Sequence, residues 1–404
     1  MTTNKTTIKN RSIGLYIHLP FCQRKCSYCG FLSLVDQPAE TIAAYLEALL
    51  AESGIRSAEI AKMFNLAHGV KPSVDTLYIG GGTPSLLSGE QAITLLEGLR
   101  QHWDVSQQAE ITMESNPNSL TREKLHAYKK AGVNRLSIGI QSFDDNILKS
   151  IGRLHDKSTA MEAVSMAKDA GLENVSVDLI FGLPGQSLAQ WTDTLQTAVS
   201  LNPEHLSVYT LQMEEGTPLY EAYKEEKLPL LDLEVDRACY RHAVKFLDRH
   251  GYHQYEISNF SLDGYECAHN LKYWSMDEFL GLGLIASSYM DGVRWQNLAD
   301  MDEWHAAISE GVSPTDRTTV KKDNKQDEMG IFLFTGLRKT VGISLSEFRQ
   351  RFGLSVFEAY GHCLKQLKTY KEQGLLDWSD AENGRLWITR KGIDCSNDIM
   401  SEFV

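Results

Sequence analysis

The chain has 404 residues, 42% of them hydrophobic and 23% charged, a balance that suits a globular protein with one large domain and one or two smaller ones. With 40 Lys and Arg against 53 Asp and Glu, the formal net charge is −13, which disfavours non-specific binding to nucleic acid or anionic lipid. Residues 1–11 are polar and the apolar stretch 13–21 is too short and interrupted for a signal peptide or a membrane span. The expectation is a cytoplasmic protein that is not an integral membrane protein and has no nucleic-acid partner.

In chain order, β-rich runs at 14–18, 76–79, 111–114, 135–140, 175–180 and 206–209 alternate with helical spacings at 42–51, 92–99, 125–131 and 160–170. Strand followed by helix implies a parallel sheet, and six such units within about 210 residues suit a TIM-like α/β barrel, a partial (β/α)6 one, over residues 1–230. Function then belongs at the C-terminal ends of the strands. Five signatures fall there: the cysteines at 22–29, Gly80-Gly81-Gly82-Thr83-Pro84, Glu114-Ser115-Asn116-Pro117, Gln141-Ser142-Phe143, and the stretch 178–184. A helical pattern at 231–249 and an aromatic, Gly-rich segment at 252–295 read as an α+β extension or cover over 231–310. The polar stretch 311–327 reads as a linker. Residues 328–404 read as a small helical, winged-helix-like domain, with helical runs at 331–337, 345–352 and 356–373 and a short hairpin at 385–389. The acidity of the chain and its lack of a basic stripe argue against DNA binding there.

Seven cysteines include three within eight residues, Cys22, Cys26 and Cys29, while Cys239, Cys267, Cys363 and Cys395 are scattered. Clustered cysteines in a reducing compartment bind metal or do redox chemistry more often than they form disulfides. A structural zinc site wants four ligands in two close pairs, and no second pair stands near. Three thiolates fit a 4Fe–4S cubane with one iron open to an outside ligand.

The run Tyr16-Ile17-His18-Leu19-Pro20-Phe21-Cys22, leading into that cluster, resembles the radical S-adenosylmethionine branch holding the oxygen-independent coproporphyrinogen III dehydrogenases and the HemW heme chaperones. The similarity continues through nearly the whole chain. It implies a 4Fe–4S cluster on Cys22, Cys26 and Cys29, with S-adenosylmethionine on its open iron. It also implies cofactor contacts at Tyr16, Tyr28, Gly81, Gly82, Thr83, Glu114, Gln141, Arg153 and Asp178, some of them belonging to a second cofactor site of the dehydrogenase branch. Taken singly, each of these side chains could equally be a hydrogen-bonded, fold-supporting polar group, and a glycine run also makes a tight turn.

The dehydrogenase branch carries a fourth cysteine where this chain has Phe31, and a longer arm before the first strand. The chaperone branch is similar in Cys29-Gly30-Phe31 and in His269-Asn270-Leu271-Lys272-Tyr273-Trp274. That resemblance implies heme as ligand and heme-acceptor proteins as partners, membrane-bound respiratory enzymes among the candidates. His269 is the preferred heme ligand and Cys267 its rival, an imidazole being a good axial ligand for heme iron. The bland alternative is that His269, Tyr273 and Trp274 pack at a domain junction. A radical enzyme acting on a tetrapyrrole, by decarboxylating coproporphyrinogen or modifying heme, is the second functional reading. Oligomeric state has no sequence signal.

Overall fold

The computed structural model describes residues 11–228, 233–379, 381 and 384–404. Each strand-rich run of the first half forms a strand: β1 Ser12–Leu19, β4 Ser73–Gly81, β5 Asp104–Ser115, β6 Arg135–Gln141, β7 Val175–Phe181 and β8 His205–Thr210, with the two-residue strands β2 Phe21–Cys22 and β3 Leu34–Val35 inside the cysteine loop. Helices α1 Ala39–Met63, α2 Gly89–His102, α3 Arg122–Ala131, α4 Asp145–Ser150, α5 Lys157–Asp169 and α6 Leu188–Ser200 separate the long strands. Their starts are written locally. Ser88 and Ser187 close capping boxes with Gln91 and Gln190, and Thr121, Asp144 and Asp156 cap α3, α4 and α5.

The strands alternate strictly in character. Ile13, Leu15, Ile17 and Leu19 of β1 are essentially fully buried in the main hydrophobic core, as are Leu136, Ile138 and Ile140 of β6 and Val175, Val177 and Leu179 of β7. The intervening positions, such as Tyr16, Tyr78, Glu114, Ser137 and Asp178, contact one another across the sheet. Parallel strands covered on both faces usually read as unbroken apolar runs. Here one face packs on helices and the other is a polar and aromatic interior, so the alternation is that of a barrel with a working lumen.

Strands β1 and β4 to β8 are parallel neighbours in that order, and the sheet extends at both sides. After α7 Pro218–Lys224 and α8 Leu233–Arg249, strands β9 His253–Gln254 and β10 Asn259–Ser261 add antiparallel to β8. Helix α9 Ala268–Trp274 then leads to β11 Phe279–Leu282, which pairs parallel with β1, followed by β12 Ser287–Met290, β13 Val293–Asn297, α10 Met301–Ser309 and β14 Thr315–Lys322. The expected extension is therefore part of the same sheet of 12 strands. The first two positions of the helix expected at 231–249 lie outside the described residues.

The stretch 311–327, expected to be a linker, instead contains β14 and the start of α11 Lys325–Gly336. Thr and Lys residues on an exposed edge strand have the composition of a linker, and their pairing with β13 is a long-range fact that local composition cannot carry. Beyond it, α11, α12 Leu345–Phe352, α13 Val356–Ala359, α14 Leu364–Glu372 and α15 Ser396–Ser401 surround a small antiparallel sheet of β15 Ile343–Ser344, β16 Leu376–Trp378 and β17 Arg385–Ile388. This unit has its own core, built on Phe332, Leu333, Phe348, Leu367 and Leu386.

Candidate functional site

The loop after β1 carries the clustered cysteines, and its path is fixed by the β2–β3 pair, with Leu34 N donating to Pro20 O at 2.7 Å and Asp36 N to Cys22 O at 3.0 Å. Cys22, Cys26 and Cys29 are partly exposed free thiols. Burial raises the pKa of Cys22 and Cys29. The Thr83 hydroxyl, 3.6 Å from Cys22 Sγ, opposes the rise at Cys22, and the Arg153 guanidinium reaches Cys26 Sγ at 3.5 Å. Among the described residues, no three His, Cys, Asp or Glu side chains converge as a single metal ion would require. A cubane makes a different demand, because each thiolate binds its own iron at a separate corner.

The glycine run ending β4 lies directly against this loop. Gly82 N donates to Leu19 O at 2.8 Å and Thr83 N to Phe21 O at 2.7 Å. A Cβ at Gly82 would stand 2.5 Å from the Phe21 carbonyl oxygen, and Gly81 has φ +113° with His18 beneath it, so neither position takes a side chain without displacing the loop. Glu114, at the end of β5, accepts from Tyr78 Oη at 2.8 Å and from Gly81 N at 3.2 Å; burial lifts its pKa to about 7. Tyr16 stacks on Tyr78 and shares a 3.0 Å hydrogen bond with His18 Nδ1. Gln141 closes β6 in the left-handed region, φ 71°, at a break in the register with β7. A non-glycine residue held there re-aims its side chain at a strand end.

Arg153, past α4, also donates to Asn116 Oδ1 at 2.7 Å and to the Gly139 carbonyl. Asn116 in turn donates to Thr83 Oγ1 at 3.0 Å, so Thr83, Asn116 and Arg153 link the second, third and fourth long strands around the cysteines. Asp178 accepts from Ser137 at 2.8 Å and from Ser176 at 3.1 Å, deeper in the lumen, and burial raises its pKa. Tyr28 packs beside the small cluster of Ile147, Ile151 and Leu183. The buried atoms His18 Nε2 and Arg153 Nε have no protein partner. Both stand at this cradle, where a bound polar molecule would meet them.

His269 lies elsewhere. It is fully buried at the base of the barrel, with Nδ1 2.8 Å from Thr76 Oγ1, Nε2 2.9 Å from Tyr273 Oη, and its ring stacked on Tyr78. Burial lowers its pKa to about 3. Its helix starts on Glu110, which accepts from Ala268 N at 2.9 Å and His269 N at 3.0 Å; Cys267, also buried, touches the same carboxylate. Thus the structure brings the cysteines, the glycine run, Glu114, Arg153 and Tyr16 together at the C-terminal ends of the strands and puts His269 beneath them, separated from Glu114 by the Tyr78 ring. Asn116, His18 and Tyr78 escaped the sequence-based selection of site residues, although Asn116 and His18 stand inside quoted motifs. What marks them is contact between strands distant in sequence.

A barrel with a three-cysteine loop after its first strand and a glycine cradle after its second defines a radical S-adenosylmethionine protein. The family model described as Radical SAM superfamily matches residues 16–198, and that described as HemN C-terminal domain matches 323–394. The coproporphyrinogen III oxidase HemN of Escherichia coli superposes with a TM-score of 0.82 at 25% identity, covering 98% of this chain and 90% of that one. The heme chaperone HemW of Bacillus subtilis strain 168 is 37% identical over 391 residues, 96% of this chain and 98% of its own length. That of Escherichia coli K12 is 39% identical over 276 residues, 68% of this chain and 70% of its own. A mitochondrial radical S-adenosyl methionine domain-containing protein 1 of Bos taurus is 33% identical over 380 residues, 90% of this chain and 81% of its own. The chain belongs to the HemW family. Membership implies a 4Fe–4S cluster and S-adenosylmethionine, and the loop and cradle fit both.

Proposed function

We propose that this protein is a heme chaperone, which binds heme and passes it to acceptor hemoproteins, and which carries a 4Fe–4S cluster on Cys22, Cys26 and Cys29. The observation that carries the reading is end-to-end similarity to the heme chaperone of Bacillus subtilis, 37% over 96% of the chain. In this reading S-adenosylmethionine lies against Gly81, Gly82 and Thr83, within reach of Tyr16, Tyr28, Glu114, Gln141, Arg153 and Asp178. The cluster and cofactor, when bound, supply one-electron reductive chemistry. The chain's own part is to orient the cofactor through Arg153 and the backbone of the glycine run, and to hold a carboxylate, Glu114, near neutrality in a site shielded from water. Its acceptors include membrane-bound respiratory enzymes, approached from the cytoplasm. Among the described residues no helix is long and apolar enough to cross a membrane.

The likeness to the coproporphyrinogen oxidase over 98% of the chain favours a second reading, radical chemistry on a tetrapyrrole. Anaerobic reconstitution with iron and sulfide separates the two. The chaperone binds hemin near one per chain, transfers it to an apo-hemoprotein and leaves coproporphyrinogen III unchanged. Turnover of coproporphyrinogen III with formation of 5′-deoxyadenosine would replace that reading with the second.

A further inference from the structure

Arg153, Asn116 and Thr83 form a hydrogen-bond chain whose direction is fixed by chemistry. A guanidinium can only donate, so the Asn116 atom that Arg153 Nη2 meets at 2.7 Å is the amide oxygen. The amide nitrogen is then turned to Thr83 and donates to its Oγ1 at 3.0 Å. Thr83 has one hydroxyl proton, and with Asn116 on its oxygen that proton goes to the acceptor on the other side, Cys22 Sγ, 3.6 Å away. The second arm of the guanidinium, Nη1, reaches Cys26 Sγ at 3.5 Å. One arginine therefore serves two of the clustered cysteines, Cys26 directly and Cys22 through Asn116 and Thr83. Cys29 is served instead by the Phe31 backbone amide.

The backbone beneath the chain is held on both sides. Asn116 N donates to Ser85 Oγ at 3.1 Å, and its carbonyl accepts from Ser119 N at 3.0 Å and Ser119 Oγ at 2.7 Å. Thr83 is buried and gives its N–H to the Phe21 carbonyl at 2.7 Å. Neither residue can turn its side chain away by a shift of the main chain. Hydrogen bonds to the cysteine sulfurs of an iron–sulfur cluster raise its reduction potential, because the reduced state carries the extra negative charge that the donors stabilise.

We propose that Asn116 is a positioning residue for the cluster: held by Arg153, it fixes the Thr83 hydroxyl as a donor to the Cys22 thiolate. That donor and the Arg153 donor to Cys26 together make the cluster easier to reduce. The electron comes from an outside one-electron reductant, and no bond breaks. The inference rests on the reading of Cys22, Cys26 and Cys29 as cluster ligands and adds to it the residues that set the potential.

The test is an anaerobic potentiometric titration of the reconstituted full chain with dithionite, followed by electron paramagnetic resonance. S-adenosylmethionine is left out, so that contacts to the cofactor do not enter. Thr83→Val keeps the shape and removes the hydroxyl; at a fixed ambient potential the reduced-to-oxidised ratio should fall about tenfold, a downward shift of about 59 mV for a one-electron couple. Thr83→Ser keeps the hydroxyl and should stay at the wild-type potential. Asn116→Ala should lower the ratio about threefold, and in the Thr83→Val background it should add nothing. Iron and sulfide per chain are measured on every variant. Should Thr83→Val hold no cluster, Asn116→Ala against the wild type carries the test. Equal potentials in the wild type, Thr83→Val and Asn116→Ala at full iron content overturn the inference and leave the cluster reading intact, as does an Asn116→Ala shift that persists undiminished in the Thr83→Val background. A wild-type chain that takes up no iron and sulfide overturns the cluster reading and the inference with it.

Discussion

Glu114 shows how far a single side chain can be argued. Buried between Tyr78 and the Gly81 amide, it titrates near 7, so it changes charge across the neutral range. S-adenosylmethionine carries a sulfonium charge, a cationic ligand favours the ionised carboxylate, and its affinity should climb from about pH 6 to about pH 8. Calorimetric titrations across that range check this, and Glu114→Gln should flatten the profile. Arg153 is the neighbouring case. Its guanidinium meets Cys26 Sγ, Asn116 Oδ1 and the Gly139 carbonyl at once, a fork that an ammonium cannot reproduce. Arg153→Lys should lower cofactor affinity about tenfold while iron content per chain stays level. At this scale the sequence was legible where a residue stood at a strand end beside a glycine or cysteine signature. It was silent on Tyr78 and Asn116, whose roles come from partners 33–37 residues away. For His269 packing at a junction stood as one of two readings, and its hydrogen-bond partner was not legible, because Thr76 lies 193 residues upstream.

At the scale of elements, the end of β4 and the start of the cysteine loop form one unit. Gly82→Ala would drive a methyl to 2.5 Å from the Phe21 carbonyl, a contact that no rotamer relieves. The expected result is a folded chain with normal far-ultraviolet circular dichroism that retains less than about half of the wild-type iron after reconstitution, since the loop and not the barrel must yield. Helix starts are cheaper to perturb. Ser88→Ala removes one capping-box acceptor, and thermal melts should report a loss of about 1 kcal/mol with cofactor binding intact. These elements were readable because strand alternation, caps and Gly-rich ends are local. β14 was not: its residues carry the charge and hydroxyl content of a loop, and what makes them a strand is the β13 edge beside them.

Over the whole molecule, the buried Glu52 joins regions that no local pattern connects. From α1 its carboxylate accepts from Gly283 N at 2.9 Å, Trp304 Nε1 at 3.1 Å and Asn297 Nδ2 at 2.6 Å, while Arg56 reaches Asn297 at 2.7 Å and Thr315 at 2.8 Å. The first barrel helix is thereby tied to the region of β11, β13, α10 and β14, which the sequence presented as a separate cover and linker. Burial outweighs these donors and lifts the Glu52 pKa to about 7. An acid whose folded pKa is raised binds its proton more tightly in the folded chain. As pH climbs past about 4.3, the unfolded chain ionises first and stability is lost until about pH 7, above which the penalty is constant. The full penalty is about 3–4 kcal/mol. Glu52→Gln cannot ionise, so it escapes this penalty, but it turns an amide NH2 toward one of the donors and loses about 1–3 kcal/mol at every pH. Urea unfolding at about pH 5 and about pH 8 should show the wild type ahead of the variant in acid and its lead shrinking or reversing in base. A lead that does not change with pH would mean that Glu52 is ionised throughout, with the donors from Gly283, Asn297 and Trp304 dominating over burial.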